Sequence, residues 1–207
     1  MWLSILIGAL TGYLLGNLNG AVSISTLMND DVRSHGSGNA GLTNFIRNYG
    51  NSKALYVVAV DAIKAVLACL LMGKLLEPYN LYAEGVVLGG AFVMLGHVFP
   101  VLLGFRGGKG ILSGLFIALV ADWRIAVLIL AVFFAVYFLT RYVSLSSLLA
   151  ATGFGIGFCV FHHDKPIVMI AGLFMAALTI FMHRANIVRL VTGKEVKTDL
   201  FKKGSSK

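Results

Sequence analysis

The chain has 207 residues, of which 58% are hydrophobic and only 13% are charged, and its formal net charge is +8. A soluble domain would carry about a quarter charged residues, so the apolar surplus excludes an ordinary soluble domain and indicates one compact membrane domain. The basic residues lie in short loops and in the tail, a distribution that argues against nucleic-acid binding and is typical of the positive-inside rule.

Seven apolar runs follow one another along the chain. They cover about 2–27, 53–76, 83–103, 111–121, 125–139, 144–161 and 166–182. A spanning helix needs roughly 20 residues, so the fourth run is too short, and a short glycine-flanked segment is typical of a broken helix at a binding site. We therefore predict an all-α membrane protein, a compact bundle of seven transmembrane helices with re-entrant or broken loops on the cytoplasmic side. Residues 1–190 form the predicted membrane domain, and residues 191–207 form a basic cytoplasmic tail.

The two ends of the predicted bundle differ in charge. If the amino terminus is outside, most of the seventeen Lys and Arg fall on the cytoplasmic side, and only Lys74, Arg124 and Lys165 fall on the other. This asymmetry predicts a multi-pass membrane protein with its amino terminus outside and with its carboxyl terminus and every candidate motif in the cytoplasm.

The first cytoplasmic loop is rich in glycine and in short polar side chains. Flexible backbone with hydroxyl and amide donors can cradle an oxyanion, and Arg47 can add a bidentate contact. A flexible loop with ordinary turn residues is the alternative interpretation, but the added Thr, Asn and Arg favour an anion site. The candidate residues are Gly36, Ser37, Gly38, Asn39, Gly41, Thr43, Asn44 and Arg47.

Asp61 and Lys64 are ionisable residues inside the second run, three positions apart and therefore on one helix face. Charges at membrane depth usually face the protein interior and serve function. Two interpretations stay open, a substrate-binding pair and a structural pair that neutralises itself. His97, in the third run, could donate to a substrate, although a hydrogen bond to a neighbouring helix is the preferred interpretation.

The second glycine-rich loop, Gly104-Phe-Arg-Gly-Gly-Lys-Gly110, superficially matches a nucleotide-binding loop. The nucleotide signature requires Ser or Thr after the lysine, where this chain has Gly110. We interpret the segment as an anion site at the start of a half-helix, with Gly107 and Gly108 as backbone donors and Lys109 as a point charge. The alternative is a turn whose cations only set the topology.

Two candidate positions follow later in the chain. Ser144 begins the sixth run, where helix capping alone explains it and proximity to the other loops would permit substrate contact. His183 and Asn186 are three positions apart at the end of the last run and share a face. A histidine is the natural proton carrier near neutral pH, whereas lipid-headgroup contact is the simpler alternative. The sequence shows no ligand set with metal spacing, so neither a metal nor a cofactor is expected.

Together these segments resemble the bacterial membrane-integral glycerol-3-phosphate acyltransferases that use acyl phosphate as donor. The resemblance covers nearly the whole chain and depends on the order and spacing of its motifs. They are Tyr13–Gly16, Gly36–Asn44 with Arg47, Asp61 with Lys64, Gly96–Pro100 with Phe105–Gly110, Arg141–Leu145, and His183–Ile187 with Arg189 and Leu190. Ala185 stands where an acidic residue is common, and Asn17 and Asn19 replace the more usual Ser and Pro at positions expected to be peripheral.

The resemblance implies transfer of a fatty acyl group from acyl phosphate to the 1-hydroxyl of glycerol 3-phosphate, giving lysophosphatidic acid and phosphate. The resemblance also implies that neither acyl-CoA nor acyl carrier protein is the donor. In agreement, the chain lacks the His and Asp separated by four residues that soluble-type glycerolipid acyltransferases carry. The implied partners are the two substrates and membrane lipid, and a soluble enzyme that forms acyl phosphate is a further candidate.

The predicted mechanism is direct attack of the glycerol hydroxyl on the mixed anhydride. Acyl phosphate and the developing oxyanion are assigned to Ser37, Gly38, Asn39 and Thr43. Arg47 and Lys109 are assigned to phosphate, and His183 and Asn186 to the attacking hydroxyl, with His183 or a substrate phosphate oxygen as base. The rival interpretation is a transporter of a phosphorylated organic anion, which would need a site near the midplane open to both sides.

Overall fold

The computed structural model describes residues 1–199, which fold into ten α-helices with no β-strand among them. In chain order, α1–α10 are Trp2–Asn17, Gly20–Leu27, Leu42–Tyr49, Asn51–Leu76, Tyr82–Val98, Ile111–Ala121, Trp123–Thr140, Val143–Phe161, Pro166–Met182 and Arg184–Val191. Short 3₁₀ turns lie at Val32–Ser34, Glu77–Tyr79 and Val101–Leu103.

Four of the described helices, α4, α5, α7 and α8, are long and apolar enough to cross a membrane. Two bent pairs raise the total to six if each pair is one span: α1 with α2, bent by 44°, and α9 with α10, bent by 55°. The short apolar helix α6 has 11 residues. The all-helical membrane bundle is thus confirmed, whereas the count of seven spans stays a prediction.

The bundle is built from neighbouring helix pairs. Helix α5 packs on α4 and on α1, helix α8 packs on α7 and on α9, and α6 lies between these groups against α4, α5 and α7. Small residues permit the closest approach, as usual between membrane helices. A methyl group added to Gly16 of α1 would stand 2.7 Å from the Cα atom of Gly96 in α5. Large apolar side chains such as Trp2, Leu3 and Leu6 are exposed on the outer surface, where lipid would cover them.

The first apolar run is interrupted between α1 and α2, and buried polar groups satisfy the interruption. The Leu18 carbonyl accepts a hydrogen bond from Lys64 Nζ at 2.8 Å, and the Gly20 N–H donates to Asp61 Oδ1 at 3.2 Å. Lys64 and Asp61 also form an ion pair of 2.6 Å, and both are 2% exposed. Broken helices at membrane depth need such partners for the freed backbone groups. The geometry therefore gives the pair a structural role, one of the two interpretations left open by the sequence.

Asn17 and Asn19 tie this interruption to both glycine-rich loops. The Asn19 amide donates to the Ala40 carbonyl at 3.0 Å, and its side-chain oxygen caps α2. Asn17 Oδ1 accepts the N–H of Leu102 at 3.0 Å. The expectation that both positions are peripheral is wrong, because each side chain joins segments that are distant in the sequence.

The glycine-rich loops lie together at one end of the bundle. Helix α4 starts beside the first loop and runs for 26 residues, so at about 1.5 Å per residue its far end is roughly 39 Å away. There the amino group of Met1 donates to the Tyr79 hydroxyl at 2.6 Å. The amino terminus and the glycine-rich loops are consequently at opposite ends of the bundle, as the predicted topology requires.

Candidate active site

A cavity of about 760 Å³ opens between the glycine-rich loops, α10 and the helices α6–α8. One part is polar, lined by Ser37, Asn39, Thr43, Arg47, Lys109, Ser144, His183, Asn186, Arg189 and Glu195. The other part is apolar, lined by Ile111, Leu112, Leu115, Ile129, Leu130, Phe133, Phe134, Val143 and Ala150. Leu130 is 38% exposed and Phe134 is 39% exposed. Because both also belong to the outer surface of α7, the apolar part borders the lipid.

Asn44 organises the first loop. Its Oδ1 accepts the N–H of Ser37 at 3.0 Å, and its amide nitrogen donates to the carbonyls of Val32 at 2.9 Å and Asn39 at 3.1 Å. Gly36 has a φ of +56°, and a Cβ there would crowd Asn44 Oδ1. Asn44 was predicted to bind substrate, but its amide hydrogens are committed to the loop, so the geometry assigns it to positioning Ser37 and Asn39.

Helix α3 carries the basic side of this loop. It begins after Gly41, and Thr43 and Arg47 are four positions apart, so both face the cavity. The Arg47 guanidinium is half-buried and donates to the hydroxyl of Thr198. This contact brings the segment after α10 against the first loop.

The paired glycines of the second loop allow it to pack against the end of α5. The Gly108 N–H donates to the His97 carbonyl at 3.1 Å. A Cβ on Gly108 would lie 2.8 Å from the Ala40 carbonyl oxygen and would overlap the His97 ring. A Cβ on Gly107 would lie 2.7 Å from the Val98 carbonyl oxygen. The predicted substrate-binding glycines thus act by close packing, and they place Lys109 at the cavity.

A cluster of three cations and one carboxylate, called the cation cluster below, forms the polar wall of the cavity. Lys109 Nζ donates to Asn186 Oδ1. The Glu195 carboxylate accepts from Asn186 Nδ2 at 2.8 Å and from Arg189 Nε at 2.7 Å. With Arg47 the cluster holds three positive charges against one negative charge, a balance of +2 that complements a phosphate dianion.

The surroundings of Lys109 destabilise its charged form. Burial, together with the charges of Arg189 and Arg47, lowers the pKa of Lys109 to about 8, and the charge of Glu195 partly opposes this shift. An anion bound at the cation cluster would favour the protonated state and raise this pKa.

His183 presents an unprotonated ring nitrogen to the cavity. Its Nδ1 lies 2.8 Å from the Thr179 carbonyl oxygen. A carbonyl can only accept, so Nδ1 carries the proton, and the lone pair of Nε2 accepts no hydrogen bond from residues 1–199. The ring is 3% exposed and lines the cavity. The Ser144 hydroxyl lies near Glu195 without a well-aligned hydrogen bond to any described residue.

The structure gathers most predicted site residues around the cavity. All five predicted catalytic residues line it, as do Gly36, Asn39, Gly41, Thr43, Asn44, Asp61 and Ser144. Four predicted binding residues lie outside its lining: Gly38, Lys64, Gly107 and Gly108. Lys64 uses its hydrogen-bond donors at the α1–α2 interruption, and the glycines contribute to the backbone geometry of the loops.

Arg189 and Glu195 were not predicted as site residues. Arg189 is three positions after Asn186 and on the same face of α10, so helical spacing from Asn186 could have identified it. Glu195 follows the last helix in a polar segment without periodicity, and no local signal marks it.

Comparison with known proteins gives a consistent result. The family model described as glycerol-3-phosphate acyltransferase matches residues 6–193. A glycerol-3-phosphate acyltransferase of Thermoanaerobacter sp. (strain X514) is 38% identical over 190 residues, which are 91% of this chain and 93% of that protein. The crystal structure of PlsY (YgiH), an integral membrane glycerol 3-phosphate acyltransferase, in its glycerol 3-phosphate form superposes with a TM-score of 0.86 at 30% identity and covers 96% of this chain and 100% of that one. Its lysophosphatidic acid form gives a TM-score of 0.84 at 29% identity, covering 95% and 96% of the two chains.

Proposed function

The chain belongs to the glycerol-3-phosphate acyltransferase family, and from this premise we propose that it transfers a fatty acyl group from acyl phosphate to the 1-hydroxyl of glycerol 3-phosphate. The products are lysophosphatidic acid and phosphate. The observation that carries the proposal is a cavity that joins the cation cluster to an apolar part bordering lipid. A phosphorylated polar acceptor and a lipid-soluble donor require both environments side by side.

The cation cluster suits the phosphate of glycerol 3-phosphate. Its balance of +2 matches the dianion, and Arg47 and Arg189 can each offer a planar pair of donors. Bound there, the phosphate places the glycerol carbons between Asn186 and the first loop. Fixing the acceptor in this way lowers the entropic part of the barrier.

The acyl phosphate would occupy the first loop and the apolar part. Ser37, Asn39 and Thr43 supply donors to its headgroup and to the oxyanion, and the acyl chain lies along Leu115 and Phe133. The lipid-bordering wall at Leu130 and Phe134 gives the chain a sideways entry from the bilayer.

The chemical step needs no covalent enzyme intermediate. The glycerol hydroxyl oxygen bonds to the acyl carbon, the bond from that carbon to the phosphate oxygen breaks, and phosphate leaves with the bonding electrons. The free Nε2 of His183 receives the hydroxyl proton.

The membrane placement follows the charge asymmetry. We assign the chain to the bacterial inner membrane, with the amino terminus outside and the cation cluster at the cytoplasmic face, where soluble glycerol 3-phosphate is available.

Purified protein mixed with acyl phosphate and glycerol 3-phosphate tests the proposal, with phosphate release and lysophosphatidic acid as the two readouts. Lys109→Ala should lower kcat/KM roughly 10- to 100-fold, because a charged contact to phosphate contributes about 1.5–3 kcal/mol. Lys53→Ala is the matched control, since Lys53 is exposed and away from the cavity lining. Uptake of glycerol 3-phosphate without product, or an active Lys109→Ala variant, would contradict the assignment.

A further inference from the structure

We propose that His97 is a further substrate-contacting residue, whose Nε2–H donates a hydrogen bond to an oxygen of the bound acyl phosphate. The inference deepens the proposed function and rests on it. It comes from the position of the ring and from the partners of its other nitrogen.

His97 lies where the two glycine-rich loops meet. It is at the end of α5, is 3% exposed and lines the cavity. Its Nε2 lies directly against Gly108, and the same glycine approaches the carbonyl of Ala40. Nε2 is consequently at the junction of the segments that carry Asn39 and Lys109.

Lys64 fixes which ring nitrogen of His97 bears the proton. Its Nζ lies 2.8 Å from the Leu18 carbonyl oxygen, 2.6 Å from Asp61 Oδ1 and 2.8 Å from His97 Nδ1. An ammonium group has three donors and no acceptor, so these three contacts use all of them and Nδ1 must accept. The separation of 3.9 Å between Nδ1 and Asp61 Oδ1 is too long for a direct hydrogen bond. The neutral ring therefore carries its proton on Nε2.

The Nε2–H has no hydrogen-bond partner within residues 1–199. Leaving a nearly buried donor unpaired is unfavourable, and an oxygen of a ligand in the cavity would satisfy it. A fixed donor in a site that excludes water is also worth most where negative charge develops. His97 and His183 thus have opposite hydrogen-bonding roles at one cavity, because Nε2 of His97 is a donor and Nε2 of His183 is an acceptor.

Two substitutions separate this role from simple support of Lys64. In His97→Asn the amide oxygen can replace Nδ1 as acceptor for Lys64, but nothing reaches the position of Nε2. In His97→Gln the amide nitrogen can replace the Nε2–H donor, but the acceptor for Lys64 is lost. We expect His97→Asn to keep a near-native thermal midpoint and to lose roughly 10- to 100-fold in kcat/KM for acyl phosphate. His97→Gln should retain more activity than His97→Asn.

The reverse order, with His97→Asn close to wild type and His97→Gln inactive, would overturn the inference and leave His97 as the partner of Lys64 alone. A separate readout is the ¹⁵N spectrum of His97 in the wild-type protein, which should show the Nε2–H tautomer, and an Nδ1–H tautomer would also overturn it. If the wild-type protein showed no acyl transfer, the proposed function would be refuted instead. The spectrum would still report the tautomer of His97 independently of that result.

Discussion

Lys109 combines a buried position with a charge that phosphate binding requires. Because its pKa is about 8 without a bound anion, the ammonium form is abundant below that pH and is lost as the pH rises through it. The substrate phosphate has a second pKa of about 6 and is therefore a dianion at pH values well above 6. We expect KM for glycerol 3-phosphate to rise above about pH 8 in assays across about pH 6 to 9.

The control for this titration is Lys109→Arg. An arginine stays charged throughout the range, so its KM for glycerol 3-phosphate should be flat with pH even if kcat is lower. A rise in KM of the same size in Lys109→Arg would assign the pH dependence to another group.

Substitution of Gly108 tests the packing role of the second loop. In Gly108→Ala the new methyl group would overlap the His97 ring and approach the Ala40 carbonyl, so the loop that carries Lys109 must shift. We expect a loss of about 1–3 kcal/mol in the free energy of unfolding and a loss of transfer activity. Gly114→Ala is the matched control, since its Cβ would meet only Met94 Cε at 3.4 Å. Equal thermal midpoints and activities in the two variants would refute the packing role.

Two short helices, α3 and α10, carry much of the polar wall. Thr43 and Arg47 lie on α3, and Asn186 and Arg189 lie on α10. The sequence interpretation placed α3 within the first loop and α10 at the end of the last apolar run. Neither was predicted as a separate helix, because eight residues with one apolar stripe do not stand out beside long apolar runs. Thr43, Arg47 and Asn186 were still predicted as site residues, since donors and cations indicate anion binding whatever the backbone conformation.

The segment after α10, residues 192–199, holds the polar wall together. Glu195 bonds to Asn186 and Arg189, and the Thr198 carbonyl accepts from Tyr137 Oη at 3.0 Å. The predicted tail boundary at residue 191 therefore separates residues that share one site. Local sequence could not indicate this, because the contacts of Glu195 depend on the bend at His183.

Glu195→Ala should lower kcat/KM roughly 10-fold or more. Without the carboxylate, the Asn186 amide is free to rotate away from Lys109, and Arg189 loses its charged partner. Lys194→Ala is the control, because Lys194 is exposed and its side chain is outside the cavity lining. A steady-state assay in which both variants match wild type would exclude a role for this segment.

The whole molecule has the glycine-rich loops at one end and the amino terminus at the other, as the charge asymmetry requires. Its orientation can be measured with single cysteines at Lys53 and at Asp164, which is exposed between α8 and α9, after Cys69 and Cys159 are replaced by alanine. An impermeant maleimide should label Asp164→Cys in intact cells and Lys53→Cys only after permeabilisation. The opposite pattern would place the cation cluster outside the cell.

The sequence alone determined that this is a helical membrane protein, identified its family resemblance and indicated an anion site built from two glycine-rich loops. These properties follow from local hydropathy, residue chemistry and motif order, which do not depend on how distant segments meet. The tertiary structure decided which side chains reach the cavity and which support it. Asn44, Lys64 and Gly108 were predicted to bind substrate, yet their hydrogen bonds or close packing hold the backbone. Glu195 and the proton position on His97 are likewise set by partners far away in the chain, and only the folded contacts specify them.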